Sequence, residues 1–268
     1  MTSLASGSSG NAFLVQAQDS TLLVDAGLAV RAFERHLRAR GIDPSTLSGI
    51  VVSHEHHDHV YGAGPLARRY GIPIVCSSGT AIAMAGDWKG LEILPLGTSG
   101  TSVGGVEVWG FPVPHDAAEP QAILLHHRGS TVGWAVDLGT VPPYLRDDLA
   151  EADLLIVEAN HDRERLLASG YPWPTKNRIL SDRGHLSNLQ AAEFLAKLGE
   201  DGRRRNVWLA HLSANTNDRP RGVLRIVENY LQMAGVNQLK LAVAERDRPS
   251  VSWPNALALT QQNLFDIS

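Results

Sequence analysis

The run His54-Glu55-His56-His57-Asp58-His59 directly follows the apolar stretch Gly49-Ile50-Val51-Val52-Ser53. A short, continuously apolar segment bounded by glycine reads as a strand buried on both faces. Strand periodicity puts His54 and His56 on one side as the chain leaves the sheet. Asp58 and His59 turn the other way where the next helix begins, so this one segment can serve two neighbouring metal ions. Neutral imidazoles and carboxylates suit Zn²⁺, Mn²⁺ or Fe²⁺. The single cysteine, Cys76, excludes a thiolate cage and an internal disulfide.

Around this motif the pattern alternates. Thr21-Leu22-Leu23-Val24 is a short strand ending at Asp25, followed by a helical stretch from Ala29 to Arg40 that Gly41 and Pro44 stop. A helix over Gly62–Tyr70 and a strand Ile72–Cys76 come next. From Val103 the texture predicts an antiparallel meander, with strands Val103–Trp109, Phe111–Pro114, Ala122–His127 and Thr131–Val136. Alternation then returns: helix Pro142–Ala150, strand Leu154–Val157, helix Asn188–Leu198, strand Val207–Ala210, helix Arg221–Met233 and strand Leu239–Val243. The last twenty residues carry little pattern. Two mixed halves with no linker predict one α/β domain over residues 1–268, with two sheets face to face and helices outside.

Composition removes several classes. With 43% hydrophobic residues among 268, the chain can bury a full core, so it is not disordered. No apolar run spans a membrane, and the start lacks the basic and apolar regions of a secretory signal, which predicts a cytoplasmic protein. The net charge is −4, yet residues 160–225 carry 12 Lys and Arg against 7 Asp and Glu. That uneven field can steer a polyanion toward one face.

Residues 54–59 resemble the signature of the metallo-β-lactamase superfamily, and the rest of the chain carries its other motifs in order. Asp25 before Gly27 resembles the aspartate that braces the metal loop. His115 in Pro112-Val113-Pro114-His115-Asp116, Asp137 in Val136-Asp137-Leu138-Gly139 and His211 in Leu209-Ala210-His211 match the remaining three. The resemblance implies a four-layer αββα sandwich and two divalent metal ions. By motif, His54, His56 and His115 would hold one ion, Asp58, His59 and His211 the other, and Asp137 would bridge them. Two ions about 3.5–4 Å apart can hold a hydroxide and clamp both oxygens of a phosphoryl displacement.

Within the superfamily, Ser3–Asn11, Glu158-Ala159-Asn160-His161-Asp162, Tyr171-Pro172-Trp173-Pro174 and Arg178–Asn188 together resemble the YycJ (WalJ) group. That resemblance implies a metal-dependent 5′→3′ DNA exonuclease with a metal-bridging hydroxide as nucleophile. The segments that carry Glu158 and His185 also resemble tRNase Z, which implies that these two residues form an acid pair outside the metal shell, worth about 10²–10⁴-fold for an alkoxide leaving group. Asp58 and Asp137 complete the expected catalytic set. Ser187, Asn188, Lys176, Arg178 and Ser213 are the expected substrate contacts, with Arg183 on the same route. RNase J-type relatives carry an inserted domain for which this chain has no room. The alternative is a small-molecule metallohydrolase acting on a cyclic phosphodiester, thioester, lactone or lactam. DNA is the expected partner, no membrane is expected, and a homodimer is left open.

Plainer expectations attach to the other features. Ser6–Asn11 reads as a tight turn near the site or a backbone cradle for phosphate. Tyr171 and Trp173 read as packing residues in a Pro-rich loop, with base stacking as the other reading. Arg203-Arg204-Arg205 reads as a solvated loop, His57 as solvent-facing, His161 as surface or backing for the site, and Cys76 as core.

Overall fold

A computed structural model describes residues 1–18 and 20–254. The unpatterned end of the chain falls largely on residues 255–268, outside the described residues. Six strands form the first sheet in sequence order: β1 (Thr2–Ala5), β2 (Ala12–Ala17), β3 (Ser20–Ala26), β4 (Gly49–Val51), β5 (Ile74–Cys76) and β6 (Ile93–Pro95). The first three pair antiparallel and β3 to β6 run parallel. Seven strands form the second: β7 (Thr101–Val103), β8 (Val106–Pro112), β9 (Gln121–His127), β10 (Ser130–Ala135), β11 (Leu154–Glu158), β12 (Arg205–Ala210) and β13 (Leu239–Val243). Here β7 to β10 are antiparallel and β10 to β13 parallel.

Side-chain alternation builds the layers. Leu22 and Val24 of β3, Ile156 of β11 and Trp208 of β12 enter the core between the sheets. Leu23 faces the other way, with Phe33 and Leu37 of α1 (Val30–Arg38). Beyond the short α2 (His57–Val60), α3 (Ala63–Tyr70) adds Leu66 to that outer layer, and α4 (Ser78–Ala83) follows β5. On the far side Leu155, Val157, Val207 and Leu209 meet the helices. These are α5 (Pro143–Asp148), α8 (Asn188–Gly199) and α9 (Pro220–Met233), while α6 (Arg163–Ala168) and α7 (Trp173–Leu180) lie between β11 and α8. The result is the expected αββα sandwich, and strands buried on both faces explain the unbroken apolar runs. Among the described residues no helix is long and apolar enough to cross a membrane.

Three details differ from the sequence expectation. The strand expected over Val103–Trp109 is a hairpin, β7 turning into β8 through Gly104 and Gly105 at φ 58° and 79°. Two consecutive positive φ values make the tight turn that glycine pairs favour. The Pro-rich stretch at 172–174 is the start of α7, because proline fits the first helical turn, where its missing N–H leaves no bond broken. Arg205 is not solvated. It opens β12 at 2% exposure, with its guanidinium on Asp201 and the carbonyls of Ala150 and Leu198, while Arg203 pairs with Glu151 and Asp153.

Cys76 lies in the core, and burial, helped by the Glu119 charge, pushes its thiol up to about 12. A thiol reagent at pH 8 is therefore expected to leave the native protein unlabelled and to titrate one thiol after denaturation. Full labelling of the native protein would contradict this packing.

Candidate metal centre

The motif residues lie at strand ends or in the segments that follow them: Asp25 in β3, His54 and His56 after β4, Asp58 and His59 in α2, His115 in the loop after β8, and Asp137 and His211 just past β10 and β12. Three of them bend the backbone to get there: Asp25, Asp137 and His211 have φ of 56°, 60° and 55°. Left-handed backbone is uncommon for residues with a Cβ and persists where surrounding contacts over-determine it. Each of these residues lies at or just past the end of a strand, β3, β10 or β12.

The rings are oriented from behind. Asp25, fully buried, accepts from Ser53 N (2.9 Å), from Ser53 Oγ (3.0 Å) and from His59 Nδ1 (2.7 Å). Ser53 Oγ has its proton on Asp25, so His54 Nδ1 donates to it at 3.0 Å. His115 Nδ1 donates to the Gly184 carbonyl at 2.9 Å, and Arg183 grips the His115 carbonyl with Nε and Nη2. His211 Nδ1 reaches Glu158 Oε1 at 2.9 Å, and Ser6 Oγ accepts from the His211 N–H. These outer contacts fix tautomers and leave the Nε2 lone pairs of His54, His59, His115 and His211 directed inward.

What meets in the middle is imidazole nitrogen and carboxylate oxygen, with no Lys or Arg group among the ligand atoms. His59 Nε2 lies 2.6 Å from Asp137 Oδ2, and His54 Nε2 lies 3.7 Å from the same oxygen. Asp58 Oδ2 lies 3.4 Å from His211 Nε2 and 3.7 Å from His59 Nε2, and His56 Nδ1 lies 3.3 Å from His115 Nε2. His54 Nε2 and His211 Nε2 are buried with no hydrogen-bond partner among the described residues. Burial pushes the His59 pKa down, yet the charges of Asp25 and Asp137 raise it to about 10, a pull toward positive charge that a bound cation would answer in the proton's place. Orphaned lone pairs facing carboxylates are the donor set that divalent cations fit. The ligand atoms group as His54, His56 and His115, as Asp58, His59 and His211, as His54, His59 and Asp137, and as Asp137, Glu158, His185 and His211.

Beside this cluster sits a second pair. Glu158 is fully buried, with Oε2 accepting from Leu138 N (3.2 Å) and Leu186 N (3.0 Å) and Oε1 from His185 Nδ1 (2.8 Å). His185 Nδ1 is also 3.0 Å from Asp137 Oδ1. Burial lowers the His185 pKa, but Glu158 and Asp137 together raise it to about 9. That shift favours the protonated ring at neutral pH.

The expected substrate contacts divide. Arg178 is exposed and pairs with Asp116 at the rim. Lys176 is turned away, a correction to the phosphate contact expected of it. It is 7% exposed, its ammonium donates to the Leu167 carbonyl at 2.6 Å, and it lies over the Trp173 ring. Ser187 caps α8 through a reciprocal pairing with Gln190, and Asn188 donates to Asn217 at 2.7 Å. Ser213 is half-buried, its N–H on the Asn160 carbonyl. The Ser6–Asn11 stretch is the β1–β2 turn, and Asn11 donates its backbone N–H to the Asp58 carbonyl. Tyr171 accepts from Asn215, Trp173 is 63% exposed, His57 faces solvent, and His161 is buried with neither ring nitrogen bonded among the described residues.

Sequence reasoning passed over Glu55 and Asp116. Glu55 accepts from Ala118 N at 2.7 Å and from Thr80 Oγ1, tying the histidine motif to the loop that carries His115. Its signal was only its place between two ligands. Gly27 also has a specific duty, because a Cβ there would lie 1.7 Å from the Asp58 carbonyl oxygen. Gly27→Ala is expected to push the 54–59 segment outward and lower metal affinity by about 10–100-fold, as losses of supporting contacts do. Metal retained per chain after dialysis against a weak chelator checks this.

The family model described as the metallo-β-lactamase superfamily matches residues 5–157. An exodeoxyribonuclease YycJ of Bacillus anthracis is 38% identical over 226 residues, covering 80% of this chain and 82% of that one. An exodeoxyribonuclease WalJ of Streptococcus pneumoniae is 36% identical over 247 residues, covering 89% and 87%. In three dimensions the metallo-β-lactamase fold protein YhfI of Bacillus subtilis superposes with a TM-score of 0.69 at 17% identity, over 93% of this chain and 99% of that one.

Proposed function

The chain belongs to the metallo-β-lactamase superfamily, within the YycJ/WalJ group, and from that premise we propose that it is a 5′→3′ exodeoxyribonuclease working with two divalent ions, Zn²⁺ or Mn²⁺. The observation that carries the reading is the Glu158–His185 pair set against the Asp137 carboxylate. A thioester, whose thiolate departs without a proton, needs no such acid, whereas the 3′-oxygen of a nucleotide leaves as a poor alkoxide.

His54, His56 and His115 would hold one ion, Asp58, His59 and His211 the second, and Asp137 would span both. When bound, the ions supply an activated water and charge neutralisation at phosphorus. The chain supplies the rest. Asp25, Ser53 and Gly184 keep the imidazoles in register, so no reorganisation is needed as charge develops. Arg178 receives a non-bridging phosphate oxygen at the rim. His185, held at Nδ1 by Glu158, delivers the Nε2 proton to the departing 3′-oxygen. Ser187 and Ser213 are the further substrate contacts in this reading. All seven metal-facing side chains come from one chain, so the chemistry needs no second copy. A cytoplasmic enzyme facing DNA accords with the single buried thiol and the basic 160–225 segment.

Removal and return of metal tests this reading. Chelator-stripped protein should lose hydrolysis of single-stranded DNA and regain it with Mn²⁺ or Zn²⁺ at about two ions per chain. Binding should weaken steeply with salt, as phosphate contacts release counterions. Hydrolysis that persists at full rate without metal would sink it.

A further inference from the structure

Asp116 follows His115 but is not among the metal-facing motifs. Its Oδ1 lies 3.3 Å from His115 Nε2 and 3.9 Å from His56 Nε2, on the side of the cluster that reaches solvent. Its Oδ2 takes the Nε–H of Arg178. The carboxylate thus has one oxygen toward the histidine cluster and the other on a guanidinium. A bound phosphate would have its non-bridging oxygens in the same two environments. The carboxylate is about one-third exposed and Arg178 more than half exposed, so this pair is free to part. The loop behind it is not, since Glu55 accepts from Ala118 N and the Glu119 carboxylate accepts from Gly79 N. We propose that Asp116 is a built-in stand-in for the substrate phosphate, holding Arg178 in place at the rim and yielding it when a phosphodiester enters. It is a specificity-determining residue that favours polyanions able to outcompete one carboxylate.

This inference rests on the phosphodiester reading, and its sign is unusual: removing the charge should improve binding. Asp116→Asn is expected to tighten a 5′-phosphorylated phosphorothioate oligonucleotide by about tenfold, within the range seen when an opposing charge is removed from an interface. It should also lower the inhibition constant of inorganic phosphate. The slope of log affinity against log salt should steepen by about one contact, because Arg178 is released to the phosphate. In an Arg178→Ala background the gain should vanish, which isolates the pair by a double-mutant cycle. Glu228→Gln, an exposed charge loss on α9, controls for net charge and should change little.

Weaker or unchanged oligonucleotide binding by Asp116→Asn would overturn the inference. So would a lower metal content, measured by mass spectrometry, since Asp116 would then be holding an ion rather than replacing a phosphate. If wild-type protein fails to bind the oligonucleotide at all, the nuclease reading fails. The inorganic phosphate series still decides the role of Asp116.

Discussion

Asp137→Asn should lower phosphodiester hydrolysis by at least about 10³-fold, several kcal/mol of barrier, while leaving the fold intact. Asparagine is among the few residues that accept left-handed backbone, so the φ of 60° at this position is not strained further. What changes is the centre. One carboxylate oxygen, 2.6 Å from His59 Nε2 or 2.7 Å from His211 Nδ1, becomes an uncharged oxygen or an amide donor. Metal analysis and turnover of a small phosphodiester, beside a thermal melt, separate a damaged centre from a damaged fold. Near-normal turnover would remove Asp137 from the mechanism.

His185→Ala carries the second large effect, and its size should depend on the leaving group. On DNA the loss should be about 10²–10⁴-fold, the usual worth of a placed general acid. On bis(p-nitrophenyl) phosphate, whose leaving group departs without a proton, it should shrink to within about tenfold. Glu158→Gln should follow the same split, because Oε1 holds His185 Nδ1, and the double variant should cost little more than either alone. Equal losses on both substrates would mark the pair as structural. Glu158 does have structural duties, accepting from the Leu138 and Leu186 N–H groups, and for that reason Gln rather than Ala is the informative change.

Much of this was legible in the sequence because strands buried on both faces must be apolar throughout. Leu22–Val24, Ile50–Val52, Leu154–Val157 and Val207–Ala210 each lie where an apolar run ends at a polar residue. The polar residues that end these runs, Asp25, Ser53, Glu158 and His211, meet in the candidate centre. What local pattern cannot encode is the destination of a long side chain. Lys176 and Arg178 are two residues apart on α7, yet one ammonium is buried on Leu167 and one guanidinium reaches Asp116, 62 residues earlier. Arg205 looked like part of a solvated basic loop because its partner, Asp201, becomes useful only once α8 and β12 are packed. The left-handed bends at Asp25, Asp137 and His211 leave no mark on composition either, since tertiary contacts impose them.

The central claim is tested most directly by a time course on duplex DNA labelled at one 5′ end, with Mn²⁺ or Zn²⁺ present and Asp137→Asn as the contamination control. The expected result is early release of labelled mononucleotide by the wild-type protein alone. Intact DNA with both proteins, at two metal ions bound per chain, would contradict it.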